Sequence, residues 1–515
     1  MPHNKIRSKL RKTIQKYHTY VILTAIITLA LLLWTFYNLE PKIEPRADLG
    51  RQLPVWSVIP CVGMLLSIAL FPLFLPHWWE HHMGKVSAFW ALLFVLPFGL
   101  AYGGHTAVYR VLHVVILDYI PFIVLLGALF TISGGIIVRG ALRGTPPVNA
   151  GMLMIGTLLA SWVGTTGASM LLIRPLIRAI KEREWKAHTI IFFIFMVSNI
   201  GGALTPIGDP PLFLGFLHGV PFFWTLRLAP SMAFNVLALI SLYLLIDSQL
   251  YRREMRKKAE LTVTEAEKEA AVEAEAGPLR VEGLLNLLFL LGVIGAVILS
   301  GFLGKNQLFF DQLAGEPRGI LLMEYHGHHL IMPWADLIRD GIILLMAGLS
   351  LKFTSPVLRE DNFFNWGPIK EVATLFAGIF VTMIPALALL QARGGELGVT
   401  TAAQFFWASG LLSSFLDNAP TYLTFLSLAS GLGATSGVNI DMGTVAPGLL
   451  LAISAGSVFM GANTYIGNAP NFMVRSIAEE NRIKMPSFFG YLGWSAGILI
   501  PLFILNTVIF FGVLR

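Results

Sequence analysis

One cysteine stands among 515 residues, Cys61, and it lies inside an apolar run. That excludes a disulfide framework and a cysteine-based metal centre. No Asn-x-Ser/Thr acceptor occurs anywhere, which favours a prokaryotic membrane. Charge is also scarce: 13% of residues are Asp, Glu, Lys or Arg, against 55% that are hydrophobic. Length alone would divide such a chain into about three soluble domains. The many long apolar runs point instead to a polytopic membrane protein. The net charge of +7 does not signal a nucleic-acid partner, because Lys and Arg gather in short loops beside apolar runs, as membrane orientation requires. A nucleophile–base pair, a glycine-rich phosphate loop and a metal-spaced His/Cys set are missing too, so the sequence reads as neither an enzyme nor a cofactor protein.

What is present follows the positive-inside rule. Residues 1–54 hold a basic stretch (Lys5, Arg7, Lys9, Arg11, Lys12, Lys16) and an uncleaved first span at 20–36, with the N-terminus cytoplasmic. Spans follow at 55–75, 86–104 and 118–138, with an interfacial link at 77–85. The next apolar run is bracketed by basic residues on both sides, Arg139 and Arg143 before it and Arg174, Arg178, Lys181, Arg183 and Lys186 after it. One crossing cannot join two cytoplasmic loops, so a re-entrant hairpin is expected at about 149–173, its tip at Gly164-Thr165-Thr166-Gly167. Runs at 188–217 and 230–247 complete a first half, 55–248, and a charged cytoplasmic linker covers 249–282. The second half, 283–515, has spans at 283–303, 340–353 and 371–392, a hairpin at about 402–431, and runs at 443–474 and 487–512. Its external loop 304–339 contains His326, His328 and His329, and the C-terminus falls outside. The predicted fold is an all-α polytopic membrane protein of the cell (inner) membrane, with about 11 transmembrane helices and two re-entrant hairpins. Five crossings and one hairpin per half make the halves inverted repeats.

The stretch Ser198-Asn199-Ile200-Gly201-Gly202-Ala203-Leu204-Thr205-Pro206-Ile207-Gly208-Asp209-Pro210-Pro211 cannot be an ordinary span. Its glycines and prolines interrupt a helix, and bare backbone is tolerated at membrane depth only when buried in protein or lining a wet cavity. Gly461-Ala462-Asn463-Thr464-Tyr465-Ile466-Gly467-Asn468-Ala469-Pro470 repeats it without a gap from Gly202 onward, with Asn468 facing Asp209. Interrupted segments at matching places in two halves point to a transporter binding site. With the hairpin tips they offer Asp209 and Asp417, the amides of Asn199, Asn418, Asn463 and Asn468, and the hydroxyls of Thr165, Thr166, Thr205, Ser414 and Thr464. Oxygen ligands of this kind suit Na⁺. Two carboxylates without a cationic partner in a low-dielectric site would titrate jointly, so Na⁺ would displace protons from Asp209 and Asp417. Na⁺/H⁺ antiport is therefore the expected activity. The alternative is Na⁺- or H⁺-coupled citrate or dicarboxylate transport, since half-helix N-termini suit an anion.

The order of these elements resembles the ion transporter superfamily, which includes NhaD-type sodium/proton antiporters, arsenite pumps and divalent-anion or citrate transporters. The first broken segment, 198–209, and Ser414-Phe415-Leu416-Asp417-Asn418-Ala419-Pro420 resemble the NhaD type. By that resemblance Asn199, Thr205, Asp209, Ser414, Asp417 and Asn418 would bind or gate the cation, and the protein would be a homodimer whose transport domain slides past a scaffold. Gly164-Thr165-Thr166 departs from both the Asp-Asn pair of the antiporters and the Ser-Asn-Thr of the carboxylate transporters.

Overall fold

The computed structural model describes residues 28, 30–43, 49–140, 142–259, 280–325 and 327–512. The basic stretch, the start of the first span, the middle of the charged linker and His326 lie outside them. Among the described residues, nine helices are long and apolar enough to cross a membrane. The fold is all-α and polytopic, and the strands among the described residues form two-stranded pairs.

Three helices show how composition sets position. Ile59–Phe74 (α1) and Pro76–Tyr102 (α2) turn Val62, Leu66, Leu70, Phe89, Leu92 and Leu96 outward, an apolar surface suited to lipid tails. Ala187–Met196 (α7) is apolar on every side from Ile190 onward, and nine of its ten residues are buried in protein. The site is built on that central helix.

The remaining elements are Gly104–Val114 (α3), Ile120–Ser133 (α4), Pro146–Val163 (α5), Thr165–Ala179 (α6), Pro210–Leu217 (α8), Ala229–Ala259 (α9), Leu285–Leu303 (α10), Trp334–Phe353 (α11), Gly367–Arg393 (α12), Ala402–Phe415 (α13), Asn418–Gly431 (α14), Pro447–Met460 (α15), Ala469–Glu480 (α16) and Phe488–Asn506 (α17). They form two groups. Helices α1–α4 pack with α10–α12, and α5–α9 pack with α13–α17. The groups meet where α12 lies on α14 and where α4 lies on α6 and α8.

Several boundaries differ from those expected. The link 77–85 is not a loop but the first turns of α2, where His81 and His82 Nδ1 face the carbonyls of His77 and Trp78 one turn back. The span expected at 118–138 begins at Gly104 and runs through α3, a π-helical turn Val115–Tyr119 and α4. Arg110 and His113 lowered its apparent hydropathy, although Tyr109 on the same turn stacks on Tyr325. The first hairpin has longer arms than 149–173: α5 and α6 span 146–179. They turn at Gly164, whose φ of 82° disfavours any residue with a Cβ.

The linker 249–282 is partly structured. Residues 249–259 continue α9, because Glu254 is buried and accepts Arg183 Nε (2.5 Å) and the amides of Glu184 and Trp185. Its end, Arg280–Glu282 (β2), pairs antiparallel with Ile137–Arg139 (β1). The loop 304–339 is likewise ordered. Phe310–Asp311 (β3) pairs with Glu316–Pro317 (β4), and Gly319–Tyr325 (β5) with His328–Pro333 (β6). Helix α11 starts at Trp334 rather than 340, since Arg339 pairs with Asp336 (2.7 Å) and Asp340 (2.8 Å) and lets those charges sit on a helix.

Candidate functional site

Both interrupted segments break in the same way. After α7 a short 3₁₀ turn, Ile200–Leu204, leads to Asp209, which starts α8. After α15 the turn Gly461–Asn463 leads to Asn468, which starts α16. Pro sits in the first turn of both outgoing helices, where its missing N–H costs nothing. Each break folds onto the hairpin of its own half. Thr205 donates to the carbonyl of Ser161 near the end of α5, and Thr464 donates to the carbonyl of Ser414 near the end of α13. The Ser161 hydroxyl reaches the Gly201 carbonyl (2.5 Å), and the Ser414 hydroxyl the Met460 carbonyl (3.1 Å). Gly208 must be glycine: a Cβ there would lie 2.2 Å from the Gly202 carbonyl oxygen.

The four irregular elements meet at one carboxylate. Asp209 is 1% exposed and makes no capping bond to its own helix. Its Oδ1 accepts Thr165 Oγ1 (2.9 Å) and Asn468 Nδ2 (3.2 Å), and its Oδ2 accepts Asn418 Nδ2 (2.5 Å). Thr165, Asn418, Asp209 and Asn468 stand at the N-termini of α6, α14, α8 and α16, so four positive helix ends converge there. No Lys, Arg or His forms an ion pair with Asp209 or Asp417 among the described residues.

The other expected residues fall into an inner layer around this centre. Asn199 donates to the Ile194 carbonyl (2.8 Å) and to Asn471 Oδ1 (2.7 Å), while Asn468 also donates to the Ser198 carbonyl (3.1 Å). Asn463 donates to Ser414 Oγ (2.9 Å). Asp417 caps α14 through the Ala419 amide (3.1 Å) and is half-buried. Thr166 is half-buried and lines a cleft of about 100 Å³. The cleft runs between the two helix groups: Leu126, Leu129 and Phe130 of α4 and Pro368, Ile369 and Val372 of α12 form one wall. Thr165, Gly208, Pro210, Ala469 and Pro470, the residues flanking Asp209 and Asn468, form the other.

Two buried acceptors in this layer, Asn418 Oδ1 and Asn463 Oδ1, have no hydrogen-bond partner. Such oxygens normally find one, and like the Asp209 and Asp417 carboxylates they are of the ligand type that hard cations take. Among the described residues no three His, Cys, Asp or Glu side chains gather as a metal site, so a transition metal has no ligand set here.

Sequence reading missed Ser161. The signal was available: laying the hairpin tips on each other puts Ser161 on Ser414, Gly164 on Asp417 and Thr165 on Asn418. It also gave no role to Asp118, His218 and Asp441.

A family model described as "Putative citrate transport" matches residues 50–511 of the chain. An uncharacterized transporter of Mycobacterium bovis is 27% identical over 356 residues, covering 66% of this chain and 71% of that protein. An uncharacterized transporter of Mycobacterium tuberculosis matches with the same identity and coverage.

Proposed function

We propose that this chain, which belongs to the citrate transport family so described, is a secondary transporter that carries a small carboxylate such as citrate together with a cation. The observation that carries this reading is that the N-termini of α6, α8 and α16 line one wall of a cleft, with the N-terminus of α14 meeting them behind it at Asp209. Each such end favours an anion by about 0.3–1 kcal/mol, and up to about 2 kcal/mol when partly buried. Asp209 and Asp417 would repel that anion unless neutralised. A cation or proton on them, with the Asn418 and Asn463 amide oxygens as further ligands, would remove the repulsion and tie the two binding events together. Thr166 then offers a hydroxyl donor to the carboxylate from the cleft wall, while the Thr165 hydroxyl stays on Asp209. No step makes or breaks a covalent bond.

Na⁺/H⁺ exchange without a carboxylate is the second reading. The unpaired amide oxygens and two carboxylates without an ion-paired cation favour it, because Na⁺ entering such a site displaces protons. One experiment separates the two. Proteoliposomes are given a Na⁺ or pH gradient, and labelled citrate, succinate and internal pH are followed together. Gradient-dependent carboxylate uptake is the expected result. Collapse of a pH gradient by Na⁺ with no uptake across the panel would overturn the first reading in favour of the second.

A further inference from the structure

Asp118 lies in the π-helical turn between α3 and α4, a local widening that recurs at functional sites. It belongs to the first helix group. Facing it are His218, at the C-terminal end of α8, and Asp441, in the turn between Val438–Ile440 (β7) and Gly443–Val445 (β8), both in the second group. His218 Nδ1 lies 2.7 Å from Asp441 Oδ2, and its Nε2 lies 3.5 Å from Asp118 Oδ1. The Asp441 amide also donates to the His218 carbonyl (3.1 Å). His218 and Asp118 are 6% and 8% exposed. The Nδ1 contact is a hydrogen bond, whereas Nε2 makes none and meets Asp118 through charge alone, an attraction that requires the ring to carry both protons. Arg110 and His113 on α3 act on this cluster from beyond, and Lys305, Asp336 and Arg339 line the adjoining cavity beside Leu217 and Gly219.

Helix α4 places this cluster relative to the cleft. Asp118 precedes its first residue, Leu126, Leu129 and Phe130 line the cleft, and Phe130 stacks on Phe364, four residues before Pro368. The cluster therefore closes one end of the boundary between the groups, and the cleft lies toward the other. We propose that Asp118, His218 and Asp441 form a proton-binding latch, separate from the Asp209 centre, that holds the two helix groups together at the closed end and releases them when the proton leaves.

Burial alone would lower the His218 pKa, but the Asp441 and Asp118 carboxylates override it and raise it to about 9. With the latch open the imidazole returns toward its ordinary value of about 6.5. The contribution of the latch is therefore complete below that ordinary value and is lost as pH rises through about 9. The latch draws on the transport reading only for the existence of a second conformation.

The test uses the full chain in detergent, with Cys61→Ala and one cysteine in the cleft, Leu126→Cys. Its rate of maleimide labelling is divided by that of an exposed control, Leu313→Cys, to remove the pH dependence of the thiol reaction. The normalised rate should fall about threefold or more between about pH 7 and about pH 9.5, as the latch opens and the cleft closes. His218→Gln should give a low rate that no longer changes with pH. Asp441→Asn should move the fall to lower pH, and its half-exposed position makes it the safer variant should His218→Gln fail to fold. A parent rate independent of pH, or a parent-like profile in Asp441→Asn, overturns the proposal. Labelling needs no substrate, so failure of the uptake assay leaves this test intact.

Discussion

The two halves build the same backbone around the site and load it differently. In the first half the break supplies the acid, Asp209, and the hairpin tip supplies Gly164 and Thr165. In the second half the break supplies an amide, Asn468, and the hairpin tip supplies Asp417 and Asn418. Thr205 on Ser161 and Thr464 on Ser414 are the shared geometry. The lesson is that repeat symmetry fixes where backbone ends converge, while single substitutions at matched positions decide where the charge sits.

The halves also differ at the base of their hairpins. In the first, Arg183 bridges Asp247 (2.6 Å) and Glu254 (2.5 Å), and Asp247 further accepts His188 (2.9 Å) and Tyr243 (3.0 Å). That buried network fastens the turn after α6 to α7 and α9. In the second half neutral contacts tie the comparable region to α12, Gln391 Nε2 to the Met442 carbonyl (2.8 Å) and the Ser427 hydroxyl to the Leu387 carbonyl (2.8 Å), and its charged contact, Asp441 with His218, reaches into the first half.

The largest expected effect on transport comes from removing the asymmetry at the centre. Asp209→Asn removes the carboxylate charge and turns the oxygen that accepts Asn418 Nδ2 into an amide that cannot accept, a loss of about 1.5–3 kcal/mol, so transport should drop about tenfold to a hundredfold. Returning the charge from the other half, in Asp209→Asn with Asn468→Asp, should recover part of that loss. No recovery would mean the two breaks are not interchangeable. On stability the largest is Arg183→Met, which strands Asp247 and Glu254 and should destabilise the fold by about 3–5 kcal/mol, read as a lowered melting temperature. Its second-half comparator, Gln391→Ala, should cost about 1 kcal/mol or less. Smaller than Arg183→Met are Ser161→Ala and Ser414→Ala. Each loses a donated bond and an accepted one, from the Leu204 amide on Ser161 and from Asn463 Nδ2 on Ser414, together worth about 2 kcal/mol, and the two variants should match in stability. Unequal values would show that the shared geometry is unequally strong.

The smallest effect lies in β3–β6, present only in the second half, where the first half joins α1 to α2 at Leu75. His329 pairs with Glu316 (2.9 Å), and that hydrogen bond raises its pKa above the ordinary imidazole value. The pair is therefore complete below that value and is lost as pH rises past the raised one. The His329 ring resonance should titrate late, and Glu316→Gln should bring it back, with no visible change in melting temperature.

Much of the architecture was legible because membrane insertion imposes simple rules on sequence. Apolar runs marked most helices, and the breaks at 197–209 and 461–468 were visible because Gly and Pro have no other reason to sit at that depth. The second hairpin tip fell at Asp417-Asn418, since the apolar run and its interruption share one register. Polar helices were harder. Residues 104–117 and 334–339 carry Arg, His and Asp side chains that read as loop; the first is held by Tyr325 of β5, a distant segment, and in the second Arg339 neutralises its own neighbours Asp336 and Asp340. The continuation of α9 to Ala259 was hidden for the same reason: Glu254 reads as a solvated charge until Arg183, 71 positions away, closes on it. At the site, residue types were readable but pairings were not, because Asn418 and Asp209 lie 209 positions apart.

The central claim is that the two breaks and two tips form one permeant site organised by Asp209. The most direct measurement is labelled citrate uptake into proteoliposomes under an imposed Na⁺ or pH gradient, for the parent and for Asp209→Asn of equal melting temperature. The account predicts gradient-driven uptake in the parent and almost none in the variant. Equal uptake by both proteins would contradict it.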